Sequence, residues 1–202
     1  MVITSAVSRE GKTSLASSLA VSLARNVRQP ILLIDADLRA PDLQEIFEVP
    51  LSPGLADVLS GKCQPHEAIV VKSNHGVHVL PAGRLAGTPH AVLGHGVFLN
   101  LIAELRTQYR YIIVDAPPVL AASEALMLAA AADGTLVCTM REITRGPQLR
   151  LACGRLAAAG AKLVGAVISG VPSRSWEYKY GYYGYGVGRD VEPLNELSNG
   201  ND

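Results

Sequence analysis

The sequence predicts an α/β domain in which a mostly parallel β-sheet is flanked by helices. Short apolar runs alternate with longer amphipathic stretches over residues 1–171, and this alternation favours parallel strands that are covered by helices. The apolar runs are nearly continuous in Val, Ile and Leu, as expected of strands that are buried on both faces. Only Phe47, Phe98, Tyr109 and Tyr111 supply aromatic rings before Trp176, so we expect an aliphatic core.

The apolar runs define the strands in chain order. Each run is four to seven residues long, which suits a strand better than a helix. The predicted strands are Val2–Ser5, Ile31–Asp35, Val77–Leu80, Tyr111–Asp115, Thr135–Thr139 and Leu163–Ser169.

The stretches between these runs are predicted to be helical because their apolar residues recur at helical spacing. Ligands of such alternating α/β sheets bind at the carboxyl ends of the strands, so functional residues are expected there. The predicted helices are Lys12–Asn26, Pro41–Phe47, Leu55–Ser60, Pro89–Gln108, Ser123–Ala132 and Thr144–Ala159.

The composition excludes several classes of protein. Eighteen basic residues balance eighteen acidic ones, so there is no overall positive field to hold nucleic acid. No apolar run approaches the roughly 18–20 residues that a membrane span needs. Cys63, Cys138 and Cys153 fit neither a disulfide framework nor a metal motif, which suits a reducing compartment. We expect a soluble cytoplasmic domain that does not bind nucleic acid.

The last thirty or so residues differ from the rest of the chain. From Pro172 onward Gly, Tyr, Ser and Asn dominate, without the spacing of a helix or a strand. Six of the ten aromatic residues lie between Trp176 and Tyr185. We therefore predict a folded domain over residues 1–171 and a flexible tyrosine-rich tail over residues 172–202.

A phosphate-binding loop is the strongest chemical signal in the sequence. The segment Ala6–Thr13 follows an apolar strand and precedes a helix, and it fits the P-loop pattern with Ala6 in place of the first glycine. Such a loop offers backbone N–H groups to phosphate, a lysine to reach the β- and γ-phosphates, and a hydroxyl to ligate Mg²⁺. The residues predicted to bind nucleotide here are Ser8, Arg9, Glu10, Gly11, Lys12, Thr13 and Ser14.

Carboxylates end two of the predicted strands. Asp35 and Asp37 belong to an Asp-x-Asp-x-Arg segment that closes with Arg39, and Asp115 ends the strand before Pro117. Parallel strands deliver these groups to the edge where the phosphate loop lies. Mg²⁺ takes hard oxygen ligands and keeps several waters, so the aspartates can act directly or through water. A single strand-end aspartate could merely cap the next helix or turn, but the combination favours a magnesium–nucleotide site.

The three motifs together resemble those of the bacterial tyrosine kinases of capsule and exopolysaccharide synthesis, which sit within the MinD/ParA-like P-loop ATPases. The matching segments are Ala6–Thr13, Ile31–Arg39 and Ile112–Pro118, with weaker matches at Gly54–Gly61 and Val79–Gly83. The tyrosine-rich tail is also a feature of that family. The likeness covers essentially residues 1–171.

This resemblance implies ATP-dependent autophosphorylation of the tail. Lys12 would bind phosphate and Thr13 would ligate Mg²⁺. Asp35 and Asp37 would serve the metal and accept the phenol proton, and Asp115 would hold the metal through water. Arg39 and Ser169 would join the nucleotide site, where Ser169 stands in place of an asparagine that meets the adenine in many relatives. The implied phosphate acceptors are Tyr178, Tyr180, Tyr182, Tyr183 and Tyr185.

The resemblance also implies partners and a location. A membrane polysaccharide co-polymerase would activate the kinase at the inner face of the membrane, a tyrosine phosphatase would oppose it, and copies would assemble in a ring. The family usually carries a Glu/Arg-rich assembly helix before the first strand, whereas this sequence starts at that strand. Either the start is trimmed or misplaced, or the chain is a shortened version that assembles more weakly. Two further departures are Arg9, where a glycine is usual, and Glu124, which replaces an aspartate and is expected to start a helix.

Two other functions remain open from the sequence. One is a MinD/ParA-like ATPase switch, although relatives of that kind carry a lysine where this chain has Val7. The other is a catalytically weak regulatory module whose tail binds a partner. A Gly/Tyr-rich tail can also self-associate without being modified.

Overall fold

The computed structural model describes residues 1–27, 29–72, 76–94 and 96–172. Met1–Gly170 form one compact unit, to which the following description applies. The tail tyrosines lie outside the described residues, so the boundary between domain and tail remains a prediction.

Seven strands form a single sheet in the order β3-β4-β2-β5-β1-β6-β7. All neighbouring pairs are parallel except β3 and β4, which confirms the predicted mostly parallel α/β fold. The strands are β1 (Val2–Ser5), β2 (Ile31–Asp35), β3 (Val70–Lys72), β4 (Val77–Leu80), β5 (Tyr111–Asp115), β6 (Thr135–Met140) and β7 (Leu163–Ser169).

Eight helices occur in the part of the chain that the structure describes, and most of them connect one strand to the next. They are α1 (Lys12–Val27), α2 (Leu43–Ile46), α3 (Leu55–Leu59), α4 (Pro65–Ala68), α5 (Pro89–Leu93), α6 (Val97–Leu105), α7 (Glu124–Ala130) and α8 (Gly146–Ala158). None of these described helices is long and apolar enough to cross a membrane.

The predicted continuous helix over Pro89–Gln108 is wrong. The chain forms α5 and α6 instead, because Gly94 is extended and Gly96 adopts a left-handed backbone with φ of 76°. Glycine takes such angles without steric cost, whereas they are incompatible with a continuing helix. Two short elements, β3 and α4, were not predicted, since three or four residues carry too little periodicity to be recognised.

The core consists mainly of aliphatic side chains on both faces of the sheet, with Phe47, Phe98 and Tyr109 buried among them. On one face, α1 packs closely through Ala16, Ala20 and Ala24, whose small side chains recur every four residues. The strand β2 is fully buried, as predicted. The prediction that the last strand is buried on both faces is wrong. β7 is an edge strand in which Val164 is 54% exposed and Ile168 is 66% exposed.

Candidate nucleotide site

The strand order brings the predicted motifs to one edge of the sheet. The strand β1 lies beside β5, and β5 lies beside β2, all running parallel. Asp35 and Asp115 are paired in register at the ends of β2 and β5, and Ile3 of β1 is paired with Asp115. The phosphate loop that follows β1 therefore starts next to the acidic end of β5 and one strand away from that of β2.

The phosphate loop spans residues 6–11 between β1 and α1. Gly11 has φ of 81°, a left-handed backbone angle that favours glycine. Arg9 also has a left-handed backbone, with φ of 66°, which is unfavourable for a residue with a side chain. The Ser5 hydroxyl donates to the Val7 carbonyl at 2.7 Å and fixes the start of the loop.

Glu10 holds this loop from inside the protein. Its side chain is fully buried, and its Oε2 accepts a hydrogen bond from the Val7 N–H at 2.9 Å. Its Oε1 accepts the hydroxyl hydrogen of Thr144, whose oxygen also accepts the Met140 N–H at 2.8 Å. The Glu10 carboxylate is thus occupied by protein groups, which leaves the Glu10 backbone for the nucleotide contact that the sequence predicts.

Lys12 begins α1 and is held over the acidic strand end. Its Nζ lies 3.4 Å from Oδ2 of Asp37, and both side chains are almost completely buried. The other oxygen of Asp37 accepts the Ala40 N–H at 3.3 Å, which fixes the turn after β2. This contact places the lysine ammonium and a carboxylate together at the mouth of the phosphate loop.

Asp35 has a structural task in addition to its predicted one. Its Oδ1 accepts the Asp37 N–H at 3.2 Å, and its Oδ2 accepts the N–H groups of Asp42 and Leu43 at 3.2 and 3.1 Å. Burial, reinforced by the charge of Asp115, raises the pKa of Asp35 to about 7. The carboxylate therefore organises the loop before α2 and titrates close to neutral pH.

Asp115 is buried like Asp35, but one oxygen of its carboxylate has no hydrogen-bond partner among the described residues. Its side chain is 1% exposed, and the oxygen without a partner in this part of the chain is Oδ1. Burial raises the pKa of Asp115 to about 6, although Lys12 and a hydrogen bond from the Thr13 hydroxyl oppose this rise. A buried carboxylate oxygen without a partner is costly and calls for a cation or a water.

These groups fit a magnesium–nucleotide complex. Thr13, Asp35, Asp37 and Asp115 offer only hard oxygen atoms; Lys12 contacts Asp37, and its charge acts on Asp115. Within the described ranges, no three His, Cys, Asp or Glu residues are grouped as a complete metal cage. Mg²⁺ commonly uses one or two carboxylates together with phosphate and water. The open Oδ1 makes Asp115 the carboxylate best suited to serve the ion, directly or through water.

The remaining predicted nucleotide residues lie around this centre. Ser8, Arg9 and Ser14 are exposed on and after the phosphate loop. Ser169, at the end of β7, has its Oγ 3.9 Å from Sγ of Cys138, and Cys138 lies directly beneath the loop, with its Sγ 2.7 Å from the Glu10 carbonyl. The predicted acceptor tyrosines lie outside the described residues.

Glu124 is a residue of this region that sequence reasoning undervalued. It was expected only to start a helix, and it does begin α7, but its side chain is 1% exposed. Its Oε1 accepts a hydrogen bond from Nε of Arg39 at 2.7 Å. The single available signal was its position after the Asp115 segment, where an aspartate is usual in the family that the motifs resemble.

The fold and this site define a P-loop nucleotide-binding protein. The AAA domain family model matches residues 8–144. The tyrosine-protein kinase YwqD of Bacillus subtilis is 34% identical over 184 residues, which cover 91% of this chain and 77% of that protein. The kinase domain of the Escherichia coli tyrosine kinase ETK superposes with a TM-score of 0.82 and 31% identity, covering 86% of this chain and 68% of that chain.

A more distant structure shares the fold. The septum site-determining protein MinD of Pyrococcus horikoshii, solved with Mg-ADP, has a TM-score of 0.68 at 23% identity and covers 88% of this chain and 75% of that chain. The match of the AAA domain model, together with the similarity to YwqD and ETK, establishes that this chain belongs to the bacterial tyrosine-protein kinases.

Proposed function

We propose that this kinase transfers the γ-phosphoryl group of ATP to the tyrosine cluster of its own tail and thereby regulates exopolysaccharide or capsule synthesis and export. The contact between Lys12 and Asp37 beside the open oxygen of Asp115 is the observation that carries the proposal. It combines a phosphate-binding cation and metal-binding oxygens at the end of a phosphate loop. The five tail tyrosines supply phenols to the same chain.

Phosphoryl transfer requires charge neutralisation and positioning more than covalent chemistry. Mg²⁺ would neutralise the charge on the phosphates. Lys12 is held in place by Asp37 and can stabilise the negative charge that shifts toward the leaving ADP oxygen. The phenol oxygen forms the new bond to phosphorus while the bond between phosphorus and the bridging oxygen of ADP breaks.

The phenol proton needs an acceptor during this step. A tyrosine hydroxyl has an ordinary pKa of about 10, so a neighbouring base assists its attack. Asp35 has a pKa of about 7, which suits a proton acceptor. Asp37, which holds Lys12 at 3.4 Å, is the second carboxylate that we propose for this role. Their burial keeps competing water away from the carboxylates.

The biological setting follows from the resemblance of the three motifs. We propose that a membrane polysaccharide co-polymerase activates the kinase at the inner face of the membrane and that a tyrosine phosphatase reverses the modification. Five phosphates would add on the order of 8–10 negative charges to the tail. Such a charge would weaken a homo-oligomer, which links phosphorylation to assembly.

Intact-mass measurement after incubation with MgATP tests the proposal. Increments of about 80 Da, one for each phosphate, are expected in the parent chain and absent in Lys12→Ala and in a variant with all five tail tyrosines changed to Phe. Lys62→Ala is the matched control, because Lys62 is half-exposed and pairs with Asp57 at 3.5 Å, outside the nucleotide site. ATP hydrolysis without mass increments, whether or not a cytoplasmic segment of the co-polymerase is added, would favour an ATPase switch over an autokinase. Absence of both hydrolysis and transfer would indicate a regulatory module.

Mixing two variants separates transfer within a chain from transfer between chains. The Lys12→Ala chain keeps its tyrosines but cannot bind phosphate, whereas the five-Phe chain keeps the site but lacks acceptors. Phosphate on the Lys12→Ala chain in the mixture demonstrates transfer between chains.

A further inference from the structure

Glu124 is a buried acid with only half of its carboxylate satisfied. Its side chain is 1% exposed, its Oε1 accepts from Arg39, and its Oε2 has no hydrogen-bond partner among the described residues. Carboxylates are almost never fully buried unless they are paired, because the loss of hydration is costly. The start of a helix does not require such burial, so the position of Glu124 calls for another explanation.

Arg39 is bound to Glu124 by only one edge of its guanidinium. The Nε atom makes the 2.7 Å contact, and the described residues offer no hydrogen-bond partner to the two Nη groups. The side chain of Arg39 is 54% exposed, in contrast to its partner. Arginine presents a planar array of donors that suits phosphate oxygens, and here the outer donors remain free.

The pair joins the two acidic loops of the nucleotide site. Arg39 follows Asp37 by two residues, and Asp37 contacts Lys12 at 3.4 Å. Glu124 lies beyond Asp115 on the connection that leaves β5, 85 residues from Arg39 in sequence. The charge of Asp37, the carboxylate that contacts Lys12, also acts on Arg39. A buried anchor thus fixes an exposed cation two residues from the carboxylate that contacts the lysine of the phosphate loop.

We propose that Glu124 is a positioning residue for phosphoryl transfer, which holds the Arg39 guanidinium where it stabilises charge on the transferred phosphoryl group. The inference rests on the proposed kinase function. An arginine that is already fixed in place loses little conformational entropy when it binds the transition state. The effect is therefore expected in kcat more than in the KM for ATP.

Glu124→Met is the decisive variant. Methionine has a similar length and tolerates burial, and the partner left behind, Arg39, is 54% exposed and stays hydrated, so the fold should keep its thermal stability. Arg39 then loses its anchor but stays partly in water. We expect kcat for tail phosphorylation to fall roughly 10- to 100-fold, with little change in the KM for ATP. Glu124→Gln keeps an acceptor oxygen for Arg39 and should recover part of the lost kcat.

A double-mutant comparison shows whether Glu124 acts through Arg39. Arg39→Ala should lower kcat at least as much as Glu124→Met, and the double variant should be no slower than Arg39→Ala alone. Arg39→Ala also leaves a buried carboxylate unpaired, so its melting temperature should fall and should recover when Glu124→Met is added. Arg106→Ala is the control. Arg106 forms an exposed ion pair with Asp133, with 2.6 Å between the two side chains, and this pair lies away from the site.

Two outcomes overturn the positioning role. One is a Glu124→Met chain that folds normally and retains the parent kcat, and the other is a further loss of kcat when Glu124→Met is added to Arg39→Ala. Failure of the proposed kinase function is separate, because the parent chain would then transfer no phosphate to its tail. In that event the same variants are compared by ATP hydrolysis, which uses the same phosphoryl centre.

Discussion

The hydroxyl of Thr144 donates a hydrogen bond to the buried carboxylate of Glu10, 134 residues earlier in the chain. The same carboxylate accepts the Val7 N–H within the phosphate loop. The loop after β6 and the phosphate loop are thereby connected through one side chain. Their relative position is set by a hydrogen bond between the fully buried side chain of Glu10 and the half-buried hydroxyl of Thr144.

Thr144→Val removes the donor while keeping the shape of the side chain. We expect the KM for ATP to rise several-fold, because Glu10 would no longer hold the phosphate loop in one position. The free energy of unfolding should fall by about 1–3 kcal/mol, since a buried carboxylate oxygen loses its partner. Thr144→Ser should behave like the parent chain. Thr107→Val changes a hydroxyl that bonds the Glu104 carbonyl in an exposed turn, so an equal effect on the KM there would contradict the explanation.

Arg9→Gly tests the role of the strained loop residue. The left-handed backbone of Arg9 costs on the order of 1 kcal/mol for a residue with a Cβ, so glycine should raise the free energy of unfolding. The KM for ATP should nevertheless rise, because the loop loses a cation that is predicted to contact phosphate. Glu142→Gly provides the matched control, as Glu142 is exposed and has φ of 69°. Both variants should gain stability, and an unchanged KM in Arg9→Gly would remove Arg9 from the nucleotide site.

Asp115→Asn should change how stability depends on pH. The pKa of Asp115 is about 6 in the folded chain and about 3.8 in the unfolded chain, so between these values the folded state holds a proton that the unfolded state has released. The penalty for burying the charge therefore grows as pH rises from 4 to 6 and is fully present above pH 6. Without nucleotide, the variant should be more stable than the parent by roughly 2–3 kcal/mol at pH 8 and by less at pH 5.

Urea unfolding at pH 5 and pH 8 measures this difference. Asp133→Asn is the control, because its side chain is 80% exposed and should show no comparable gain. A variant that is destabilised equally at both pH values would mean that Asp115 is an ordinary structural carboxylate.

Gly54→Ala tests the close approach between the turn before α3 and the segment after β4. A Cβ on Gly54 would lie 2.2 Å from the Gly83 nitrogen and 2.4 Å from the Pro81 carbonyl oxygen. These are backbone atoms that also bond Leu55 and Leu51, so they cannot shift without breaking hydrogen bonds. We expect a loss of about 3 kcal/mol or more in the free energy of unfolding.

Gly154→Ala is the control, and its expected effect on stability has the opposite sign. This glycine lies within α8 with open space around its Cβ position, so alanine should stabilise the helix by about 0.5–1 kcal/mol. Chemical unfolding of both variants gives the comparison. Equal changes in the free energy of unfolding would show that the close approach at Gly54 is not what makes alanine unfavourable there.

The sequence determines the strands well because their signal is local. The bounds of β1, β2, β4 and β5 agree with the prediction, since each is a continuous apolar run that is covered on both sides. The register of Asp35 with Asp115 follows once parallel order is assumed. The exposure of β7 could not be predicted, because an edge strand and a central strand with the same apolar residues differ only in their neighbours.

The site was predictable only in part for a similar reason. Lys12, Thr13 and the strand-end aspartates belong to short motifs whose chemistry is visible within a few residues. The contacts of Glu10 with Thr144 and of Arg39 with Glu124 join residues that are 134 and 85 positions apart. No local pattern reports such a distance, and a buried glutamate at the start of a helix is indistinguishable in sequence from an exposed one.

The incomplete bonding of Asp115 also affects how this domain can evolve. Replacements that neutralise the buried carboxylate should raise the stability of the chain without nucleotide, yet they remove the oxygen that suits Mg²⁺. Selection for a durable fold and selection for catalysis therefore act in opposite directions at this single residue. Variants recovered only for heat resistance are expected to accumulate changes here and to lose activity.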